Sequence, residues 1–181
     1  MDTLTVASED RIKDALTTDF DNGFTALVRE YQPGIHQGAT RLTKSREDAQ
    51  DVAQDTFVRA YSALKAYDAD RIQQLKVRPW LWTIALNLCR NRWRRGGTET
   101  TLLDHDNAAS DGASFDDLAW RRRLAGLSAN QRNAVVMRHV LDMPISEIAE
   151  ILGRPEGTVK ADISRGLDKL RNTMEAEEHN G

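Results

Sequence analysis

Six cations, Lys76, Arg78, Arg90, Arg92, Arg94 and Arg95, fall within the twenty residues from Lys76 to Arg95 with no acid among them. Cationic groups at that density suit a polyanion, because each neutralised phosphate releases a condensed counterion. A second group lies near the other end of the chain. Thr158, Ala161, Asp162, Arg165 and Lys169 recur at helical spacing and point away from the apolar side formed by Val159, Ile163, Leu167, Leu170 and Met174. An α-helix fits a DNA major groove, and arginine on its outer face offers a forked donor to base edges. Other chemistry finds little support. Cys89 stands alone, the four histidines have no ligand spacing, and Asp104-His105-Asp106 sits in a stretch unsuited to fixed coordination. No Gly-x-x-x-x-Gly-Lys, His-Glu-x-x-His or Gly-x-Ser-x-Gly pattern occurs, so neither an enzyme, a cofactor nor a metal is expected.

The overall charge conceals these groups. A formal −3 and a pI near 5.8 exclude only a uniformly basic protein. After the +6 block, Gly96 to Leu118 holds six acids and no Lys or Arg, with Gly96, Gly97 and Gly112 and few apolar residues to bury. Such a composition does not repay the entropy of ordering and reads as a flexible acidic linker. From Ala119 to Glu175 ten cations face seven acids, whereas residues 1–30 hold three cations and seven acids. The expected organisation is a domain over 1–95, a linker over 96–118, a second domain over 119–175 and a tail over 176–181. The longest apolar run is four residues, Ala134 to Met137, too short to span a bilayer, and residues 1–11 lack the pattern of a secretory signal. A cytoplasmic protein is expected.

The cationic groups must be held by helices, since apolar residues recur at three and four rather than two, and the fold class expected is all-α. A segment from about Asp19 to Leu42 reads as helical and bent at Pro33-Gly34. Ser45 caps a helix reaching about Ala66, with Ala49, Val52, Ala53, Thr56, Phe57, Ala60 and Leu64 on one side and Asp51, Gln54, Asp55, Val58 and Ser62 opposite. Another helix starts at Pro79, with Leu81, Ile84, Ala85 and Leu88 inward. In the second domain Ser128-Ala129-Asn130-Gln131 is a capping box, and Asp142-Met143-Pro144 ends the helix it opens. A short helix to Leu152, a turn at Gly153 and a longer helix after Pro155 follow in helix-turn-helix order.

Two blocks of this sequence resemble a known family. Asp48-Ala49-Gln50-Asp51-Val52-Ala53-Gln54-Asp55-Thr56-Phe57-Val58-Arg59-Ala60-Tyr61, followed by Arg78-Pro79-Trp80-Leu81-Trp82-Thr83-Ile84-Ala85-Leu86-Asn87, resembles region 2 of bacterial extracytoplasmic-function (ECF) sigma factors. Leu127-Ser128 to Arg138, with Ile148-Ala149-Glu150-Ile151-Leu152-Gly153 and Gly157-Thr158-Val159-Lys160, is similar to their region 4. The likeness runs from about Phe20 to Arg171, with the acidic linker in the corresponding place.

The resemblance implies promoter-specific initiation by RNA polymerase, with promoter DNA and core polymerase as partners through the β′ clamp helices and the β flap. Docking would fall to Asp51, Gln54, Asp55 and Arg59. A loop from about Tyr67 to Lys76, including Tyr67 and Asp68, would capture a flipped base of the minus-ten element, while Lys76, Arg78, Asn87, Arg90 and Arg94 would track the opened strand. The minus-thirty-five element would be read by Arg154, Glu156, Thr158, Lys160, Ala161, Asp162, Arg165 and Lys169. An anti-sigma partner is common in the family, and no membrane partner is implied. This chain departs from the family at Lys160-Ala161-Asp162, where Lys-Ser-Arg is common, so a carboxylate stands on the expected groove face and either accepts from cytosine N4 or repels phosphate. Pro144 replaces a usual capping Ser, and Leu86 a usual Arg. The linker either threads toward the polymerase's RNA channel or is a passive tether, and in the free chain it is expected to fold back on the +6 block. The rival reading is a helix-turn-helix regulator that acts without polymerase.

Overall fold

The computed structural model describes the backbone of residues 3–95 and 115–179 and the side chains of 8–92 and 119–179. Most of the expected linker, the Asp104-His105-Asp106 triplet and the side chains of Trp93, Arg94 and Arg95 lie outside the described residues. Those that are described form nine helices and no strand, as the all-α expectation holds.

The first unit is built from α1 (Thr3–Thr18), α2 (Phe20–Leu42), α3 (Arg46–Lys65), α4 (Ala69–Gln74) and α5 (Val77–Arg95). Helix α1 has no counterpart among the sequence expectations. Asp19 caps α2 by accepting from the Asn22 N–H, and the helix continues through Pro33. Ser45 caps α3 by accepting from the Asp48 N–H at 3.0 Å. All seven residues assigned to the apolar side of α3 are buried, and the Thr56 hydroxyl is satisfied by donating to the Val52 carbonyl at 2.7 Å. Pro79 falls in the first turn of α5, which begins two residues earlier than expected. Its first N–H, on Val77, donates to Glu9 Oε1 of α1 at 3.1 Å, while the Tyr31 hydroxyl donates to Glu9 Oε2 at 3.3 Å. Burial, reinforced by Glu9, pushes the Tyr31 phenol above its ordinary range.

The second unit comprises α6 (Phe115–Ala125), α7 (Ala129–His139), α8 (Ile145–Leu152) and α9 (Glu156–His179). Helix α6 starts within the segment assigned to the linker. Helix α9 continues past Met174 into the expected tail, where Glu177 pairs with Arg123 of α6 at 2.7 Å. The capping box at Ser128 is present in both directions, Ser128 accepting from the Gln131 N–H and Gln131 from the Ser128 N–H. Between α8 and α9 the chain reverses through Gly153, whose φ of 62° is in the left-handed region that favours glycine. Its N–H donates to the Glu150 carbonyl and that of Arg154 to Ala149, closing the end of α8.

The two units share one apolar core, with α2 and α5 packed against α7 and α8. Gly38 of α2 lies at their seam, against one residue of each unit. A Cβ there would lie 2.2 Å from Trp82 Cη2 and 3.0 Å from Leu141 Cδ1, so glycine lets α2 pack closely on α5 and on Leu141 of the second unit at one point. Trp82 and Cys89 are core residues, and burial pushes the Cys89 thiol up to about 12, leaving it a packed, unreactive group.

Candidate nucleic-acid interface

Helix α5 is 19 residues, about 28 Å long, and carries the first cationic group along its length. Asn87 and Arg90 are exposed on it, Arg90 Nη1 reaching Asn87 Oδ1 at 3.5 Å. Arg78 and Lys76 lie at its start. The segment expected as a loop holds helix α4, which is braced from α1: Lys13 Nζ donates to the Gln73 carbonyl at 3.3 Å and Gln73 Nε2 to Asp14 Oδ1 at 2.9 Å. Asp68 caps α4 by accepting from the Arg71 N–H at 2.8 Å. The Arg71 guanidinium lies 3.7 Å over the Tyr67 ring, which leans on Trp80 with centroids 6.1 Å apart. Cation, ring and ring form one cluster beside the start of α5. Asp68 is thereby a helix cap, and Tyr67 is half-buried in this cluster.

Lys76 and Arg78 are not open to solvent alone. Lys76 Nζ is 2.8 Å from Glu150 Oε2 of α8. Arg78 Nη2 donates to the Leu141 carbonyl at 2.8 Å, and its Nε is 3.4 Å from Glu147 Oε1. Burial pushes the Glu147 carboxyl above its usual range, with Arg78 pulling the other way and Glu9 and Glu150 adding to the rise. Both cations nearest the loop are therefore held by the helix-turn-helix unit.

The α3 stripe divides. Arg92 of α5 lies 3.0 Å from both Asp48 Oδ1 and Asp51 Oδ2, and 3.9 Å from Asp55 Oδ2. The two aspartates expected to face outward to an arginine-rich partner already have an internal arginine, which periodicity within α3 does not reveal. Arg59 is exposed. Gln54, by contrast, lines an open cleft of about 750 Å³ between α2 and α3, with Phe24, Val28, Phe57 and Tyr61. Val58, on the same rim, is 58% exposed and is the exposed large hydrophobic residue among those described. Sequence analysis placed Val58 on the stripe without giving it a role; an apolar residue amid polar ones was the signal.

On α9, Glu156, Lys160, Arg165 and Lys169 are exposed and Thr158 and Ala161 half-buried. Asp162 is a correction. Its side chain does not face outward but is buried at 5% exposure, accepting from Arg154 Nη1 through Oδ2 and from Arg165 Nη2 through Oδ1 at 2.9 Å. It neither awaits a cytosine nor confronts phosphate, because both oxygens are taken by arginines of the same unit.

Comparison with known proteins agrees with this geometry. The Sigma-70 region 2 model matches residues 27–98 and the Sigma-70, region 4 model residues 117–170. The chain is 30% identical to ECF RNA polymerase sigma factor SigW of Bacillus subtilis over 183 residues, covering 91% of this chain and 95% of that one. It is 31% identical to ECF RNA polymerase sigma factor SigM of Mycobacterium tuberculosis, covering 83% of this chain and 76% of the relative. Among solved structures, CnrH in complex with the cytosolic domain of CnrY superposes with a TM-score of 0.75 at 25% identity, covering 93% and 98% of the two chains. The sigma factor RpoE of Bartonella quintana, in complex with the anti-sigma factor NepR, shares the fold with a TM-score of 0.67 at 22% identity, covering 84% and 96%. The protein belongs to the ECF RNA polymerase sigma factors, whose function is promoter-specific transcription initiation. No described helix is long and apolar enough to cross a membrane.

Proposed function

We propose that this chain binds core RNA polymerase in the cytoplasm and, without catalytic chemistry of its own, directs initiation by reading upstream duplex with α9 and holding the opened minus-ten strand along α5. The observation that carries this reading is the pairing, in one chain, of a groove-type helix bearing Lys160, Arg165 and Lys169 with a separate cationic helix whose start carries the Arg71, Tyr67 and Trp80 cluster. A duplex reader needs only the first. The second suits single-stranded nucleic acid, since stacked rings accept any base while Arg90, Arg78 and Lys76 follow phosphates. Asn87 belongs to the same track, and the sequence expectation adds Arg94, whose side chain lies outside those described. Duplex opening is driven by binding free energy.

Core docking falls to the rim of the α2–α3 cleft. Val58 and Gln54 supply an apolar centre with an amide beside it, while Arg59, Asp51 and Asp55 form the polar surround. Exposed apolar residues ringed by polar ones have the anatomy of a protein interface. The clamp helices of β′ are the partner this face suits, and the β flap is assigned to the second unit. An anti-sigma protein, such as the RpoE complex contains, would compete for these faces.

Pull-down of core polymerase by the purified chain, followed by run-off transcription on genomic fragments, tests the proposal. Stoichiometric capture and discrete transcripts are expected. Failure to capture core, with retained binding to duplex DNA, would favour a stand-alone helix-turn-helix regulator.

A further inference from the structure

Asp162 sits 5% exposed on a helix whose neighbours Lys160, Ser164 and Arg165 face solvent. A carboxylate at that depth is tolerated only with charged donors on it. Two are present, from different elements: Arg154 belongs to the turn before α9, and Arg165 lies three residues further along α9. Both arginines remain partly open, Arg154 with 30% and Arg165 with 62% of the side chain exposed. A guanidinium has five N–H donors in one rigid plane, so the carboxylate occupies part of each fork and leaves the other donors free to meet a ligand.

We propose that Asp162 is a positioning residue for DNA recognition: it fixes the Arg154 and Arg165 guanidinium planes relative to each other, so that they engage a guanine edge and a neighbouring phosphate as a preset pair. This rests on the reading of α9 as the groove helix. An untethered arginine loses rotamer freedom when it binds, and a planar fork already held loses less. The same carboxylate cancels one of the two positive charges, so the pair contributes direction more than bulk attraction. Replacing Asp162 by Asn should therefore move two quantities in opposite senses. Discrimination between bases falls, because the fork is no longer aimed. Affinity for arbitrary duplex rises, because a negative charge has gone and Arg154 is released toward phosphate. A carboxylate that served only to hold the fold would lower both together.

The test uses holoenzyme reconstituted from core polymerase and the full chain, selecting from a duplex pool randomised across the upstream element. Asp162→Asn is expected to relax preference about tenfold at the base pair that Arg165→Ala also relaxes, leaving other positions unchanged. Binding to a fixed random-sequence duplex should show a log–log salt dependence steeper by about one charge. Unaltered base preference, or equal loss at every position with a lower melting temperature, overturns the proposal. Should Asp162→Asn not fold, Arg154→Gln keeps the Asp162–Arg165 pair but removes one of the two donors that fix the carboxylate, and is expected to relax the same base pair several-fold; an unchanged profile for it is equally contrary. If the wild-type holoenzyme selects no upstream motif at all, the groove-helix reading itself fails, and this proposal with it.

Discussion

The two units hold the cations proposed to face DNA in different ways. In the second, Arg154 and Arg165 both donate to Asp162, so all three partners belong to one unit. In the first, Lys76 and Arg78 are held by Glu150, Glu147 and the Leu141 carbonyl, all of which belong to the second unit. The lesson is one of availability. The face proposed to read duplex is self-contained, whereas the start of the face proposed to hold the strand shares its two cations with the second unit, Lys76 staying mostly exposed and Arg78 partly buried.

That contrast can be broken most severely at Gly38. Gly38→Ala forces a methyl into Trp82 and Leu141 and is expected to cost about 1–3 kcal/mol, in the range of overpacked cores. Thermal melting should drop by several degrees, and the contact between units should loosen first; an unchanged melt would mean that the seam adjusts freely. Arg92→Ala strips three carboxylates of their partner and is expected to cost about 1 kcal/mol, discounted for partial exposure, with the loss shrinking at high salt. Denaturant unfolding at two ionic strengths checks it. Val58→Glu, on a residue 58% exposed, should leave the melting temperature unchanged but weaken core polymerase binding at least tenfold, as loss of an interface anchor does.

Smaller effects bear on the seam itself. The carboxyl of Glu147 has its affinity for protons raised on folding, chiefly by burial, so its neutral form is the one that the packed state favours. Its contribution is therefore full below the ordinary carboxylate value and is lost as pH rises through the raised one. Arg78, Glu9 and Glu150 all face it, and only Arg78 opposes the shift. Fluorescence transfer between labels on the two units should report weaker closure between mildly acidic and neutral pH, and Glu147→Gln should remove that trend and keep the units together. Loss of transfer on acidification instead would reverse the assignment. Smallest of all, Glu150→Ala removes one exposed pair and should leave the melting temperature unchanged, yet raise the free chain's affinity for a single-stranded oligonucleotide a few-fold at low salt.

Much of the scaffold was legible in the sequence because it is written in local periodicity. The apolar side of α3, the capping box at Ser128 and the turn at Gly153 depend on neighbours in the chain, and each stands where spacing and residue type put it. Helix α1 was not legible, since its buried apolar residues with described side chains are only Ile12 and Leu16. The site was read less well, for one reason. Polarity was taken as a sign of facing outward without an internal partner, but Asp51 and Asp55 on α3 share Arg92 of α5, and Asp162 is served by Arg154 from a turn and Arg165 from its own helix. On a helical wheel Asp162 lies only about 60° from Val159, close enough to the buried side for its charge to be the sole argument for exposure. Pairing across elements cancels that argument, and no periodicity within one helix records it.

The central claim is that one chain combines duplex reading with strand opening once on core polymerase. Permanganate footprinting of a promoter fragment recovered from the run-off assay tests it most directly. With core polymerase and this protein together, and no nucleotide added, thymines in the minus-ten segment should become reactive while upstream duplex stays unreactive. Upstream binding without any reactive thymines would contradict the account.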